Sequence, residues 1–408
     1  MKHQLFFELL RTAIGQRKVL SAVPSAKEWE ALYGFLSKHT LLGIGYVAIQ
    51  KLPREQWPPK MLVLKWTSVA TAISHQNKTL NEECKSLCEE FRHDGVASVV
   101  IKGQSNLENY PEELRWYRTP GDIDLWCQAS NGVEIGEMVN GEVVKSEFHG
   151  ISGVIEYCKQ YERCRGRDIP WHRVLYYHCE LKSDNGIAIE PHYRISYLHS
   201  PVRNHRLQKW FKNHFDVCLQ NRCSLGFPVL TSSVNVVYQL VHLYRHVFEG
   251  GVGLRQLMDY YFALRVWHND VMECKDLQSQ GMWSEGLGTS VMSKEEVMAV
   301  LRSFGMKKFA SAVMYVLHEV FAIPTNYYIC EPNEKEGRKL LEEIMKGGNF
   351  GQYDERGKEF KNGGMIKHGL WKLKRVMRLV RSYPEEALWE PVFRVWHLGW
   401  RTIQRIKD

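Results

Sequence analysis

Val96-Ala97-Ser98-Val99-Val100-Ile101-Lys102-Gly103-Gln104-Ser105, followed closely by Arg118-Thr119-Pro120-Gly121-Asp122-Ile123-Asp124-Leu125-Trp126, decides the fold. The run 96–101 is apolar and β-branched, as in a buried strand. Gly103 supplies a turn, a short helix follows, and the second stretch reads as another strand. Side chains at i and i+2 of a strand share a face. Asp122 and Asp124 therefore project side by side, with Ile123 and Leu125 on the opposite face. Two adjacent carboxylates repel unless a cation neutralises them, and hard divalent ions prefer oxygen ligands. The glycine turn offers backbone N–H groups to phosphates. An isolated Asp-x-Asp pair is common on solvated strand edges. Here the apolar run before Gly103 and the flanking Leu125-Trp126 place it in a buried strand. Together these features imply a metal-dependent enzyme acting on a nucleoside triphosphate.

Bulk properties bound the reading. The 408 residues suffice for two or three cores, and 44% hydrophobic with 25% charged residues is ordinary globular composition. No apolar run has the length of a membrane helix, so a cytoplasmic protein without a membrane partner is expected. Residues 1–15 suggest an amphipathic helix interrupted by Glu8 and Arg11, unlike the core of a signal peptide. The ten cysteines follow no framework spacing. Cys84 and Cys88 are one helical turn apart, but no second pair completes a zinc site, so buried free thiols are expected. A net charge of +8 permits an anionic substrate without requiring nucleic acid. The cations Lys367, Lys372, Lys374, Arg375, Arg378 and Arg381 interleave with Ile366, Leu370, Leu373, Met377 and Val380 at helical spacing. The apolar stripe is expected to pack and the charges to face water, in preference to a surface for nucleic acid.

The chain reads as α+β with three regions: a helical 1–95, a core 96–230 and a helical 231–408. Residues 26–42 and 61–92 are expected to be helical, with Gly95 as a stop signal. Pro111 breaks the short helix after Gly103. Residues 127–150 are glycine-rich and read as a loop or insertion, with short strands at most. A helix is expected over 153–164. A hairpin follows, with strands 174–181 and 187–193 around the strong turn signal Ser183-Asp184-Asn185-Gly186. It carries Glu190 and His192 on one face. Helices are expected over 233–248, 254–267, 295–322 and 334–346 and from 365 onward, with a polar linker over 269–293.

The set Val100-Ile101-Lys102-Gly103, Tyr110-Pro111, Arg118, Gly121-Asp122-Ile123-Asp124-Leu125 and Ile189-Glu190-Pro191-His192 resembles the nucleotidyltransferase superfamily of DNA polymerase β and the aminoglycoside nucleotidyltransferases. Within it, the chain is most similar to the bacterial uncharacterised nucleotidyltransferases. The likeness extends through His242 and Leu254-Arg255 to Asp259 and spans about residues 27–270. It implies a small mixed β-sheet flanked by helices. It also implies that Asp122, Asp124 and Glu190 form the catalytic, metal-binding set. Gly103 and the residues after it match the turn that holds the triphosphate.

The chemistry needs little more. Nucleotidyl transfer requires an acceptor hydroxyl to attack the α-phosphorus while pyrophosphate leaves, and two metals about 3.5–4 Å apart serve both oxygens. Mg²⁺ or Mn²⁺ is the expected cofactor and an NTP the substrate. Lys102 and Arg118 are candidates for triphosphate charge, or else are surface cations. Ser105 either donates to a phosphate or caps the following helix. His192 either lines the pocket or is a hydrogen-bonded structural histidine. His242 and His246 stand at i, i+4 without an evident third ligand, so core or pocket wall is preferred to zinc. Arg255 and Asp259 are spaced for a helix ion pair. The expected function is transfer of a nucleoside monophosphate to a hydroxyl of a small molecule, protein or RNA, including a toxin or defence role. The alternative is a catalytically silent nucleotide-binding or interaction protein on the same fold, which the intact carboxylates disfavour.

Overall fold

The computed structural model describes residues 3–139, 142–279, 291–357 and 364–407. Helices α1 (Gln4–Ala13), α2 (Ala26–Lys38), α3 (Leu42–Lys51) and α4 (Lys60–His93) lead into strand β1 (Ala97–Val100). A 3₁₀ segment (Gly103–Asn109) and the one-turn helix α5 (Glu112–Arg115) precede β2 (Ile123–Gln128), β3 (Val133–Val139) and β4 (Glu142–Phe148). Then come α6 (Gly150–Arg163), β5 (Leu181–Lys182), β6 (Ala188–His192), α7 (Pro201–Lys212) and α8 (Phe215–Gln220). The remainder is helical: α9 (Ser232–Glu249), α10 (Leu254–Ser279), α11 (Lys294–Ser303), α12 (Lys307–Phe321), α13 (Glu334–Gly347), α14 (Gly364–Leu379) and α15 (Pro384–Lys407). The expected α+β class holds, with a small mixed sheet and helices at both ends. Among the described residues, no helix is long and apolar enough to cross a membrane.

Two compact units form. One comprises Met1–Lys78, Asn106–Pro120 and Asn235–Ala387, and the other Thr79–Ser105, Gly121–Val234 and Leu388–Asp408. The first unit is helical. α1 buries Phe6, Leu9, Leu10 and Ala13 and packs on α3 and α12. Ser25 opens α2 through a reciprocal capping box with Glu28. The helix expected over 26–42 instead breaks after Lys38, because Thr40 takes a left-handed φ of +56°. The linker expected from residue 269 is helical as far as Ser279, and its continuation over 280–290 lies outside the described residues.

The stripe expected to pack on α14 is not the packed face. Leu373 and Met377 are exposed (46% and 63%), whereas Trp371, Arg375 and Val376 are buried. The cause is Arg375, whose Nε and Nη2 donate to the Val247 carbonyl of α9 at 3.0 and 2.8 Å. A buried guanidinium needs such an acceptor, so this side of the helix docks. The side chains of Ile366, Lys367 and Leu370 lie outside the described residues.

The second unit holds the sheet, in the order β1-β2-β6-β5. β2 and β6 run parallel, and the outer pairs are antiparallel. Ile123, Leu125, Cys127 and Ile189 share a core with Leu80, Leu87 and Phe91 of α4 and Tyr157 and Tyr161 of α6. Each large apolar side chain so buried contributes about 1.5–3 kcal/mol. The segment read as a loop over 127–150 instead holds the antiparallel pair β3 and β4. Val133 and Ile135 are buried while Glu134 is exposed, a two-residue alternation that fixes the facing. The hairpin before β6 is shorter than expected. Only Leu181–Lys182 forms a strand, and 174–179 is held by single bridges, Val174 with Cys179 and His178 with His192. Its turn is as expected, with Gly186 at φ +77° donating to the Ser183 carbonyl.

Candidate active site

The site follows from the parallel pairing of β2 and β6. Their register sets Asp124 opposite Glu190 and Trp126 opposite His192. Residues in register on neighbouring strands share a face, so a carboxylate and an imidazole from β6 join Asp124 of β2. Asp122 precedes the first residue of β2 and completes the group. One ligand oxygen from each of Asp122, Asp124 and Glu190 lies within 4.8 Å of the others. The opposite face of both strands carries the core residues, which anchors the backbone beneath the carboxylates.

The glycine turn is built against the same strand. Ile101 N–H donates to the Asp124 carbonyl at 3.1 Å, extending the β1–β2 pairing. Gly103 then turns with φ +64°, and a Cβ there would stand 3.3 Å from the Asp122 carbonyl oxygen. Any side chain would meet both a strained φ and a close backbone. Gln104 is anchored by its amide, which donates to Asn81 Oδ1 of α4 at 2.7 Å. Ser105 Oγ is buried with no hydrogen-bond partner among the described residues. Lys102, just before the turn, places Nζ 2.7 Å from Asp124 Oδ1.

Electrostatics distinguish the carboxylates. Asp124 has no solvent exposure, and burial reinforced by Asp122 raises its pKa to about 6, against the lowering pull of Lys102. Burial also pushes Glu190 upward. The hydrogen bond with His192 and the charges of Lys102 and His178 outweigh it, so Glu190 titrates below the usual carboxylate range. His192 is buried, yet its pKa is raised because Asp124 (3.0 Å) and Glu190 (3.4 Å) both face Nε2. Asp124 Oδ2 is buried with no hydrogen-bond partner among the described residues. An oxygen left so is costly unless a cation or donor satisfies it.

The family model described as uncharacterised nucleotidyltransferase matches residues 25–281, well over half of the chain. The chain belongs to that family. It is therefore an enzyme of the nucleotidyltransferase class. No curated protein and no solved structure matches it.

In this nucleotidyltransferase the donor set fits a divalent cation: three convergent carboxylates and one unsatisfied buried oxygen. Of the residues expected at the site, Lys102, Gly103, Ser105, Asp122, Asp124, Glu190 and His192 all belong to the second unit. Arg118 belongs to the first. There its Nε and Nη2 donate to the two oxygens of Asp259 at 2.7 and 2.8 Å, and Tyr110 Oη donates to the same carboxylate at 2.6 Å. Arg255, expected to pair with Asp259 along the helix, sends Nη1 to the Thr119 carbonyl at 2.7 Å. His242 and His246 meet edge to face, with ring centroids 4.3 Å apart, in the first unit. They are not part of either metal-ligating group found among the described residues.

One residue escaped the sequence reading. His178 is buried against His192, with ring centroids 4.9 Å apart, and its Nε2 lies 3.9 Å from Glu190 Oε2. It sits in an irregular segment where alternation carries no signal. The available hint was its place directly after Tyr176-Tyr177, on the stretch that the Ser183–Gly186 turn folds back toward Glu190.

Proposed function

We propose that this nucleotidyltransferase moves a nucleoside monophosphate from an NTP to a hydroxyl acceptor at Asp122, Asp124 and Glu190. The observation that carries the reading is the β2–β6 register, which sets Asp124 opposite Glu190 beside Asp122. These three carboxylates would hold Mg²⁺ or Mn²⁺, which supplies Lewis-acid stabilisation of phosphate oxygens and activation of the nucleophile. The turn after Lys102 presents Gly103 and the unsatisfied Ser105 hydroxyl to the triphosphate. Lys102 offers its ammonium to phosphate charge. The imidazole of His192 stands between Asp124 and Glu190, with Nε2 at 3.0 and 3.4 Å from their oxygens.

In the reaction the acceptor oxygen forms a bond to the α-phosphorus, the α–β phosphoanhydride bond breaks, and pyrophosphate leaves. The hydroxyl proton passes to solvent or to a carboxylate of the site. Because NTP and divalent cations are abundant in the cytoplasm, that compartment suits the reaction. The acceptor class remains a small molecule, a protein side chain or an RNA end. The complete carboxylate set, with Asp124 wholly buried, favours catalysis over a silent binding protein, since clustered like charges are costly to keep without a cation to hold.

The test uses two positions of label. The protein is incubated with Mg²⁺ or Mn²⁺, a cell extract and each NTP labelled at the α- or the γ-phosphate. Label from the α-position should enter an acceptor and label from the γ-position should leave as pyrophosphate. Transfer of γ-label to the acceptor would make the enzyme a kinase and sink the reading.

A further inference from the structure

The carboxylates are only half of the polar cluster. His178, Glu190 and His192 form a second group whose ligand atoms all lie within 4.8 Å of one another, and Glu190 belongs to both groups. Both imidazoles are buried. His192 Nε2 stands 3.4 Å from Glu190 Oε2 and 3.0 Å from Asp124 Oδ1, and His178 Nε2 stands 3.9 Å from Glu190 Oε2. Ligand atoms about 2.0–2.2 Å from one ion stand roughly 3–3.6 Å apart. The 3.0 and 3.4 Å spacings fall in that range and the 3.9 Å spacing lies just above it. The two histidines are fixed by backbone, since His178 and His192 are bridge partners and Cys179 N–H donates to the Pro191 carbonyl at 3.1 Å. The wholly buried Asp124 adds an oxygen, Oδ2, that no donor among the described residues satisfies.

We propose that His178, His192 and Glu190 form a nitrogen-containing metal seat beside the aspartates, so that the centre takes a divalent transition metal in preference to Mg²⁺. Mg²⁺ takes oxygen ligands and gains little from imidazole, whereas first-row transition ions accept mixed nitrogen and oxygen sets. Two imidazoles in a site that needed only Mg²⁺ would have no ligand role. Glu190 is the shared ligand that ties this seat to Asp122 and Asp124. The inference rests on the reading of those carboxylates as metal-holding.

The test is spectroscopic and uses the full chain. Mn²⁺ is titrated by calorimetry, with Mg²⁺ in parallel, and the Mn²⁺-loaded protein is measured by electron spin-echo envelope modulation. Protein grown on ¹⁵N-histidine provides the second sample. Directly bound imidazole predicts ¹⁴N modulation that converts to the ¹⁵N pattern on labelling, and Mn²⁺ affinity at least about tenfold above that for Mg²⁺. His178→Ala should lower Mn²⁺ affinity by about tenfold or more and leave Mg²⁺ affinity nearly unchanged. The labelled wild type decides the matter even if that variant does not fold. Mn²⁺ binding with no nitrogen modulation overturns the inference while the carboxylate reading stands. Failure of both ions to bind, with and without a non-hydrolysable NTP analogue, overturns both.

Discussion

Lys102 places its ammonium 2.7 Å from Oδ1 of Asp124, a carboxylate with no exposure to solvent. A cation seated on Asp124 competes with this ammonium. Removing one partner of a buried pair leaves an uncompensated charge, which is strongly destabilising. Lys102→Met should therefore lower the melting temperature of the metal-free protein. Mn²⁺ should then raise it by more in the variant than in the wild type, because a ligand that binds only the native state stabilises it. NTP affinity should fall by about tenfold, or ~1.4 kcal/mol. Equal Mn²⁺-induced shifts in thermal melts of the two proteins would contradict this role.

Arg118 and Asp259 form a second buried pair, in the helical unit, where Tyr110 also donates to the carboxylate. Arg118→Ala leaves Asp259 buried without its bidentate partner, at a cost of about 3–5 kcal/mol. Arg118→Lys keeps the charge but loses the planar fork and should fall between. Urea unfolding monitored by circular dichroism measures the difference. A loss under about 1 kcal/mol for the alanine variant would show that the pair contributes little to folding.

The candidate carboxylates were legible because strand alternation is local: Asp122 and Asp124 are two residues apart, and Ile189-Glu190 repeats the pattern on another strand. That Asp124 lies opposite Glu190 is a pairing register, which no local pattern encodes. His178 was missed for a related reason, since it reaches the site through a single bridge and not through a strand. The β3–β4 pair was hidden by glycines and by charges that face solvent, such as Glu134 and Lys145, which pair at 2.9 Å. On α14 the apolar residues lie on more than one side, so periodicity alone selected Leu373 and Met377. The docked side was decided by a long-range acceptor, the Val247 carbonyl that receives Arg375.

That correction makes a direct prediction. Arg375 is buried, and burial lowers its pKa to about 10 despite the nearby acid Glu343. Arg375→Ala should cost about 1–3 kcal/mol, because it strips the Val247 carbonyl of its donor. Leu373→Ser and Met377→Ser should each stay within about 0.5 kcal/mol of wild type, as exposed substitutions do. Comparing the three unfolding midpoints checks the face assignment. The reverse order would restore the stripe that the sequence suggests.

His39 gives a pH dependence. Burial, followed by the nearby charges of His3 and Lys38, lowers its pKa to about 4 from 6.5, and its Nδ1 accepts from Leu254 N–H at 3.4 Å. The folded state therefore favours neutral His39. Its contribution is complete above about pH 6.5 and is lost as pH falls from there toward 4, up to roughly 3 kcal/mol. His39→Asn retains an acceptor but cannot take the proton. The variant should be less acid-sensitive than wild type across pH 6.5 to 4 in thermal melts. Parallel curves for the two proteins would exclude His39 as the acid-labile group.

The central claim is that Asp124, opposite Glu190, anchors metal-dependent nucleotidyl transfer, and Asp124→Asn tests it most directly. The measurement is incorporation of α-labelled NTP into an acceptor in cell extract with Mn²⁺ or Mg²⁺, on protein whose circular dichroism matches wild type. Wild-type protein should transfer label only with the metal present, and the variant should show no transfer above background. Label transfer by the folded variant at the wild-type rate, or by the wild type in excess chelator, would contradict the account.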